Sequence, residues 1–176
     1  VDRDGDGIFD ESTVFADKLP LPEGILVHDD SVYVGAPPHI WKLRDTTGDH
    51  VADERSVWFD GGSIENCGND MHGPYRGPDG FFYWCKGAFA PQQHQLTNGR
   101  TRTSRAAHIY RALPDGSQLE RVITGGMNNP VGLAFSTTGE RFLSGTFFER
   151  LVLTFSTHDS KSQFPMGILP HDSTCS

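Results

Sequence analysis

The sequence has 176 residues, with 15 Lys and Arg against 23 Asp and Glu and a formal net charge of −8. That length suits one domain with a real core, and 36 % hydrophobic with 11 % aromatic residues excludes a disordered chain. The acidic balance, read as lacking a basic cluster, argues against a nucleic-acid or anionic-membrane partner, and apolar runs such as Gly24–Val27 are far too short to span a bilayer. The chain opens at Val1 inside an acidic loop and reads as a piece of something longer.

That opening loop runs Asp2-Arg-Asp4-Gly-Asp6-Gly-Ile8-Phe-Asp10. Carboxylates at positions 1, 3, 5 and 9, with the Ile8 carbonyl at position 7 and Gly7 at the tight turn, match the spacing that wraps Ca²⁺. The bidentate Glu of position 12 is missing, since Thr13 stands there. Ca²⁺ is favoured over a solvated acidic turn because four carboxylates within nine residues repel one another without a cation.

Short apolar or alternating runs follow, bounded by turn residues, and predict strands at Ile25–Val27, Val32–Gly35 and Ile40–Leu43. A second acidic loop, Asp45-Thr-Thr47-Gly-Asp49-His50-Val51-Ala-Asp53, lies 43 residues after the first. It keeps positions 1, 5 and 9 but carries His50 at the tight turn, and a hydrogen-bonded loop without metal is its preferred reading. Next comes a glycine-punctuated polar segment, Asn66–Arg76, read as a loop. Its His72 can act as a general base near neutral pH with Asp70 orienting it, or be an ordinary hydrogen-bonded loop histidine.

Further strands are predicted at Phe81–Cys85, Ala107–Ala112, Leu119–Ile123, Gly132–Phe135, Arg141–Phe148 and Leu151–Phe155. Phe81, Tyr83, Phe135, Phe142 and Phe148 should form an apolar strand face. Turn chemistry separates the runs at Asp29-Asp30, Pro78-Asp79-Gly80, Pro114-Asp115-Gly116 and Thr138-Gly139. No window carries the helical period, so the chain reads as all-β and antiparallel. Cys67 and Cys85 flank the His72 segment and are either bridged or two free thiols; Cys175 stands apart.

A turn–strand–turn–strand grammar recurs, closing on Gly35, Gly87 and Gly145, which are 52 and 58 residues apart. That is about the length of one four-stranded propeller blade, so about three blades fit here, short of a closed ring. Phosphate-binding, dinucleotide-binding, nucleophile-elbow and zincin motifs are all absent.

Taken together, the acidic loop, Phe15-Ala16-Asp17-x-Leu19-x-x-Pro22-x-Gly24, Leu43-Arg44-Asp45-x-x-Gly48-Asp49-x-x-Ala52-Asp53, Asn69-Asp70-Met71-His72-Gly73-Pro74-Tyr75-x-Gly77-Pro78-Asp79-Gly80 and Gly125-Gly126-Met127-x-Asn129-Pro130-Val131 resemble a known group. It is the planctomycete-type membrane-bound dehydrogenase-like proteins, relatives of the glucose/sorbosone dehydrogenases. The resemblance covers roughly residues 1–150, leaving 151–176 as a tail without blade turns.

It implies a six-bladed propeller, of which this chain is a partial one, exported from the cytoplasm to a periplasmic or membrane-associated place and often joined to a cytochrome c domain. It further implies oxidation of a sugar or alcohol substrate by hydride transfer to pyrroloquinoline quinone (PQQ), with Ca²⁺ at the propeller mouth. His72 would take the hydroxyl proton, and Asn128, Asn129 and Pro130 would lie on the cofactor side. Two features depart from the sugar dehydrogenases: His72 is closer to the Gly77-Pro78-Asp79 turn, and an Arg-Asn pair is replaced by Asn128-Asn129. The alternative expectation is a non-catalytic, Ca²⁺-stabilised propeller used for binding or as a scaffold.

Overall fold

The computed structural model describes residues 2–62, 71–88, 91–95, 98–124, 127–145 and 152–154. These residues contain strands and no helix. The first sheet is β1 (Gly24–His28), β2 (Ser31–Ala36), β3 (His39–Arg44) and β4 (Glu54–Asp60), joined as an antiparallel meander in chain order. The second contains β5 (Met71–Arg76) and β6 (Phe82–Lys86), then β9 (His108–Ala112) and β10 (Glu120–Thr124), again with each strand beside its predecessor in the sheet. A two-stranded hairpin, β7 (Gln92–Gln95) and β8 (Thr101–Ser104), is inserted between β6 and β9. The third sheet is β11 (Pro130–Phe135), β12 (Arg141–Gly145) and β13 (Val152–Thr154).

The expected all-β, antiparallel architecture is therefore present, as three separate sheets and a hairpin, none of them closed. The predicted turns lie where Gly can take a left-handed φ. Gly80, Gly116 and Gly139 sit at +83°, +83° and +92°, and each donates its N–H three residues back, to Gly77, Leu113 and Ser136. The recurring glycines also fall at equivalent places, since Gly35 lies in β2, Gly87 follows β6 and Gly145 ends β12, each the second strand of its sheet.

Alternation of side chains decides how the sheets stack. Every residue of β6 is buried: Phe82 and Trp84 point into one core, Tyr83 and Cys85 into another. The first core joins sheets one and two through Tyr33, Ile40, Phe82, Trp84 and Tyr110, with Trp58 and Phe59 of β4 packed on it. Trp58 sits edge-on to Trp84 with ring centroids 5.4 Å apart, and its indole N–H donates to the Pro114 carbonyl at 2.8 Å. The second core joins sheets two and three through Tyr83, Ile109, Leu133 and Leu143, with Phe81 and Phe135 beside it. Of the expected aromatic face, Tyr83 and Phe135 meet at 4.9 Å; Phe148 lies outside the described residues.

Strands β4, β5, β7 and β8 lie outside the expected set. β4 is charged at its start and shows little alternation. β5 reads Met-His-Gly-Pro-Tyr-Arg, and a proline inside a polar run argues for a loop. The register shift between His72 and Tyr75 resolves this, because the Gly73-Pro74 pair occupies a bulge rather than a ladder position. The Gly73–Pro74 peptide is cis.

Candidate functional site

His72 is thus on a strand, correcting its placement in a loop, and it is 8 % exposed. β5 packs against β1 and β2 on one side and β11 on the other. Close approach to the first sheet depends on missing side chains. A Cβ on Gly24 would lie 2.5 Å from the Gly73 carbonyl oxygen, and one on Gly35 only 2.0 Å. Gly24 and Gly35 are cross-strand partners, so together they make a bare patch that receives the Gly73 backbone.

That approach brings Glu23, the residue just before β1, to His72. The Glu23 Oε2 and His72 Nδ1 atoms are 2.6 Å apart, while the Glu23 N–H is fixed by the Gly35 carbonyl at 2.7 Å. On the other side, His72 Nε2–H donates to Asn129 Oδ1 at 2.9 Å. Asn129 is buried just before β11, and the neighbouring Tyr75 hydroxyl donates to the Val131 carbonyl at 2.8 Å. Burial holds the Tyr75 phenol up at about 12, so it stays a neutral donor. One imidazole of the second sheet therefore touches the residues that lead into the first strands of the other two.

Of the sequence candidates, His72 and Asn129 meet. Asn128 contributes its carbonyl, which accepts from the Ala88 N–H at 2.7 Å, and Pro130 pairs with Gly145. Asp70, expected as the orienting carboxylate, lies outside the described residues, as do Cys67, Gly125 and Gly126. Glu23 was missed; it stands 49 residues before His72 in an ordinary Pro-Glu-Gly turn, with no motif to mark it. Cys85 is a free buried thiol whose pKa burial pushes up to about 12, which removes it as a nucleophile at neutral pH.

The two acidic loops fold alike. Asp2 accepts the N–H of Gly5 at 2.7 Å and of Gly7 at 3.0 Å; Asp45 accepts those of Gly48 at 2.7 Å and His50 at 2.8 Å. Asp6 and Asp49 each accept from the residue two ahead, and Asp10 and Asp53 from the residue after the first aspartate. His50 takes φ +68° where Gly7 takes +86°, so the substitution keeps the turn. The likeness continues past the loops, because Glu11, Val14 and Asp17 recur as Glu54, Val57 and Asp60. Phe15 and Ala16 pack on the first sheet much as Trp58 and Phe59 pack on the second.

In the first loop, carboxylate oxygens of Asp2, Asp4 and Asp10 lie within 4.8 Å of one another. Asp6 is not in that convergent set, and its Oδ1 accepts the Ile8 N–H at 2.8 Å. In the second loop, backbone N–H groups hold Asp45 and Asp53 below the ordinary carboxylate value.

A basic surface also escaped the sequence reading. None of the 35 residues between Asp79 and Asp115 is acidic, and five are Lys or Arg. Arg100, Arg102 and Arg105 are exposed on or beside the β7–β8 hairpin. Lys86 is fully buried where the hairpin leaves β6, with Nζ donating to the Gly87 and Ala106 carbonyls at 2.7 and 3.2 Å.

Two shallow grooves lie around residues 9–22, one of about 400 Å³ between Val14, Phe15 and Leu19 and the Ile25, Val34 and Leu43 side of the first sheet. Neither includes His72. Among the described residues, no helix is long and apolar enough to cross a membrane.

No curated protein and no solved structure matches the chain. One family profile does, over residues 1–168. The chain therefore belongs to the family described as "Domain of unknown function (DUF7133)".

Proposed function

We propose that this chain is part of an oxidoreductase built on a partial six-bladed β-propeller, in which His72 removes the proton from a sugar or alcohol hydroxyl as hydride passes to a quinone acceptor. The observation that carries this reading is the 2.6 Å contact between Glu23 and His72. A carboxylate on Nδ1 fixes the imidazole's orientation and stabilises its protonated form, leaving Nε2 to exchange a proton. Asn129 occupies Nε2 at 2.9 Å. A substrate hydroxyl therefore has to displace that amide, and Nε2 has to give up the proton it donates there, before His72 can act as the base.

The sheet order supports a propeller: three antiparallel sheets stack face to face, and β1, β5 and β11, the first strands of each, lie side by side. PQQ is the acceptor that the resemblance implies. Asn128, Asn129 and Pro130 by themselves do not fit it, because they offer no cation for its carboxylates and the Asn129 amide is engaged by His72. Asp2, Asp4 and Asp10 do fit Ca²⁺, as three converging hard oxygen donors. Export from the cytoplasm and electron transfer to a cytochrome c domain complete the proposal.

The test is dye reduction by the full-length protein with PQQ, Ca²⁺ and panels of aldoses and polyols. His72→Gln should lower turnover by about a hundredfold or more. No reduction and no change in the quinone spectrum would reject the enzyme.

A second reading has its own observation. His72 is 8 % exposed and bonded to groups from neighbouring sheets, which suits a structural pin in a Ca²⁺-stabilised scaffold. In that case His72→Gln would lower stability while the wild type shows no turnover.

A further inference from the structure

Sheet one covers its neighbour in two parts. Trp58 and Phe59 of β4 pack against Trp84 of sheet two, and Leu26, Tyr33 and Ile40 of β1, β2 and β3 supply the rest of that core. Alternation gives sheet one a second apolar face on its other side. There Ile25 and Val27 of β1 pair with Val34 and Val32 of β2, which in turn pair with Trp41 and Leu43 of β3. Phe15, Ala16 and Leu19 cover the β2–β3 part of this face. Its β1 part is open, with Ile25 68 % and Val27 66 % exposed.

The half-cover that is present corresponds to β4. Residues 11–17 follow one acidic loop as β4 follows the other, with Glu11, Val14 and Asp17 standing where Glu54, Val57 and Asp60 recur 43 residues on. Each stretch also reaches the connection between the third and fourth strands of the sheet it covers. The Trp58 indole N–H donates to the Pro114 carbonyl at 2.8 Å, and the Phe15 carbonyl accepts from the Ala52 N–H at 2.8 Å. One difference stands out: β4 pairs with β3, the strand on the other side of its loop, whereas residues 11–17 enter none of the sheets among the described residues. Phe15 and Ala16 thus take the part of Trp58 and Phe59, and none of the described residues takes that of Leu26, Tyr33 and Ile40.

We infer that residues 11–17 are the fourth strand of a further antiparallel sheet, whose first three strands come from polypeptide leading into Asp2 and seat on Ile25 and Val27. Residues 2–10 are then the connection between its third and fourth strands, as residues 45–53 are in sheet one. A sheet of this kind suits the face better than an unrelated partner because the interface is already half made. Phe15 and Ala16 fix where its outer edge lies, and the bare strip of Ile25 and Val27 is left for its inner strands. Sheet one uses Gly24–Arg44 for its first three strands, so about 20–30 residues ahead of Asp2 suffice. The inference rests on the stacking of the sheets and not on any reaction at His72, so an absence of dye reduction leaves it standing.

The reading frame ahead of Val1 should encode three short alternating runs separated by turn residues. Hydrogen exchange then compares the present chain with the longer one that carries those residues. Amides of residues 12–17 should exchange about tenfold or more slowly in the longer chain, because they gain a ladder. Ile25→Asp should leave the thermal midpoint of the present chain within about 2 °C, since the side chain is exposed there, and lower that of the longer chain by about 5 °C or more. An in-frame stop ahead of Val1, or upstream residues without the three runs, would overturn the inference. Equal tolerance of Ile25→Asp in both chains would do the same. A dimer of the longer chain that Ile25→Asp dissociates would overturn it in favour of a second copy on this face.

Discussion

Glu23 meets His72 across the boundary between two sheets, carboxylate oxygen to imidazole nitrogen at 2.6 Å. The contact joins the turn before β1 to the start of β5, and it is largely shielded from water on the His72 side. Glu23→Ala removes the carboxylate that pairs with this buried ring and should cost about 1–3 kcal/mol. Glu23→Gln keeps an acceptor in place and should cost about 1 kcal/mol. Urea unfolding of the three proteins checks the order; equal midpoints would mean that the pair adds nothing to the fold.

Gly35→Ala is expected to be among the most damaging small substitutions in the chain. Its Cβ would lie 2.0 Å from the Gly73 carbonyl oxygen, which is backbone and has no rotamer to move away. A loss of about 3 kcal/mol or more follows from forcing the two sheets apart. Gly139→Ala makes the comparison, since its Cβ would meet nothing within 4 Å and only its φ of +92° is strained. That variant should lose about 1 kcal/mol. Similar losses for both would show that the sheets do not touch at Gly35.

Acid should loosen the 45–53 loop at low pH. Asp45 and Asp53 have folded pKa values below the ordinary 3.8, chiefly through the N–H groups of Gly48 and Thr46 respectively. A depressed carboxylate contributes fully above its unfolded pKa and loses that contribution as pH falls through the lower folded value. Hydrogen exchange at Gly48 and His50 should therefore be flat from neutral pH down to about 4, once corrected for intrinsic rates, and rise below it. A rise already complete above about pH 5 would overturn the assignment to these two aspartates.

Ca²⁺ should bind the first loop weakly, with a dissociation constant of about 10⁻⁴–10⁻³ M, because no carboxylate supplies position 12. Asp4→Asn should abolish the titration heat, as Asp4 belongs to the converging trio. Asp6→Asn should retain part of it, because Asp6 serves the Ile8 N–H instead. An Asp4→Asn protein that titrates like wild type would dismiss the site.

Strand positions could be read wherever a run alternated and ended on Gly or Asp, and β1, β2, β3, β6, β9 and β11 all followed that rule. β5 could not, because its proline sits in a bulge that only the pairing with β6 reveals. His72 was visible as a residue and not as a contact. Its partners lie 49 residues before it and 57 after it, and a one-dimensional pattern holds no distance between them. The hairpin arginines were missed for a different reason: charge was counted over the whole chain, which hides a 35-residue stretch without an acid.

β6 is buried from end to end, and its sheet lends one face to each neighbour. The middle layer is consequently the shared wall of two cores, and neither outer sheet can keep the core it shares with that wall once the wall melts. Unfolding should spread through it as a single cooperative event, while loss of either outer sheet would strip only one face. A residue such as Trp84 on one side and Tyr83 on the other thus reports on opposite halves of the molecule while belonging to the same strand.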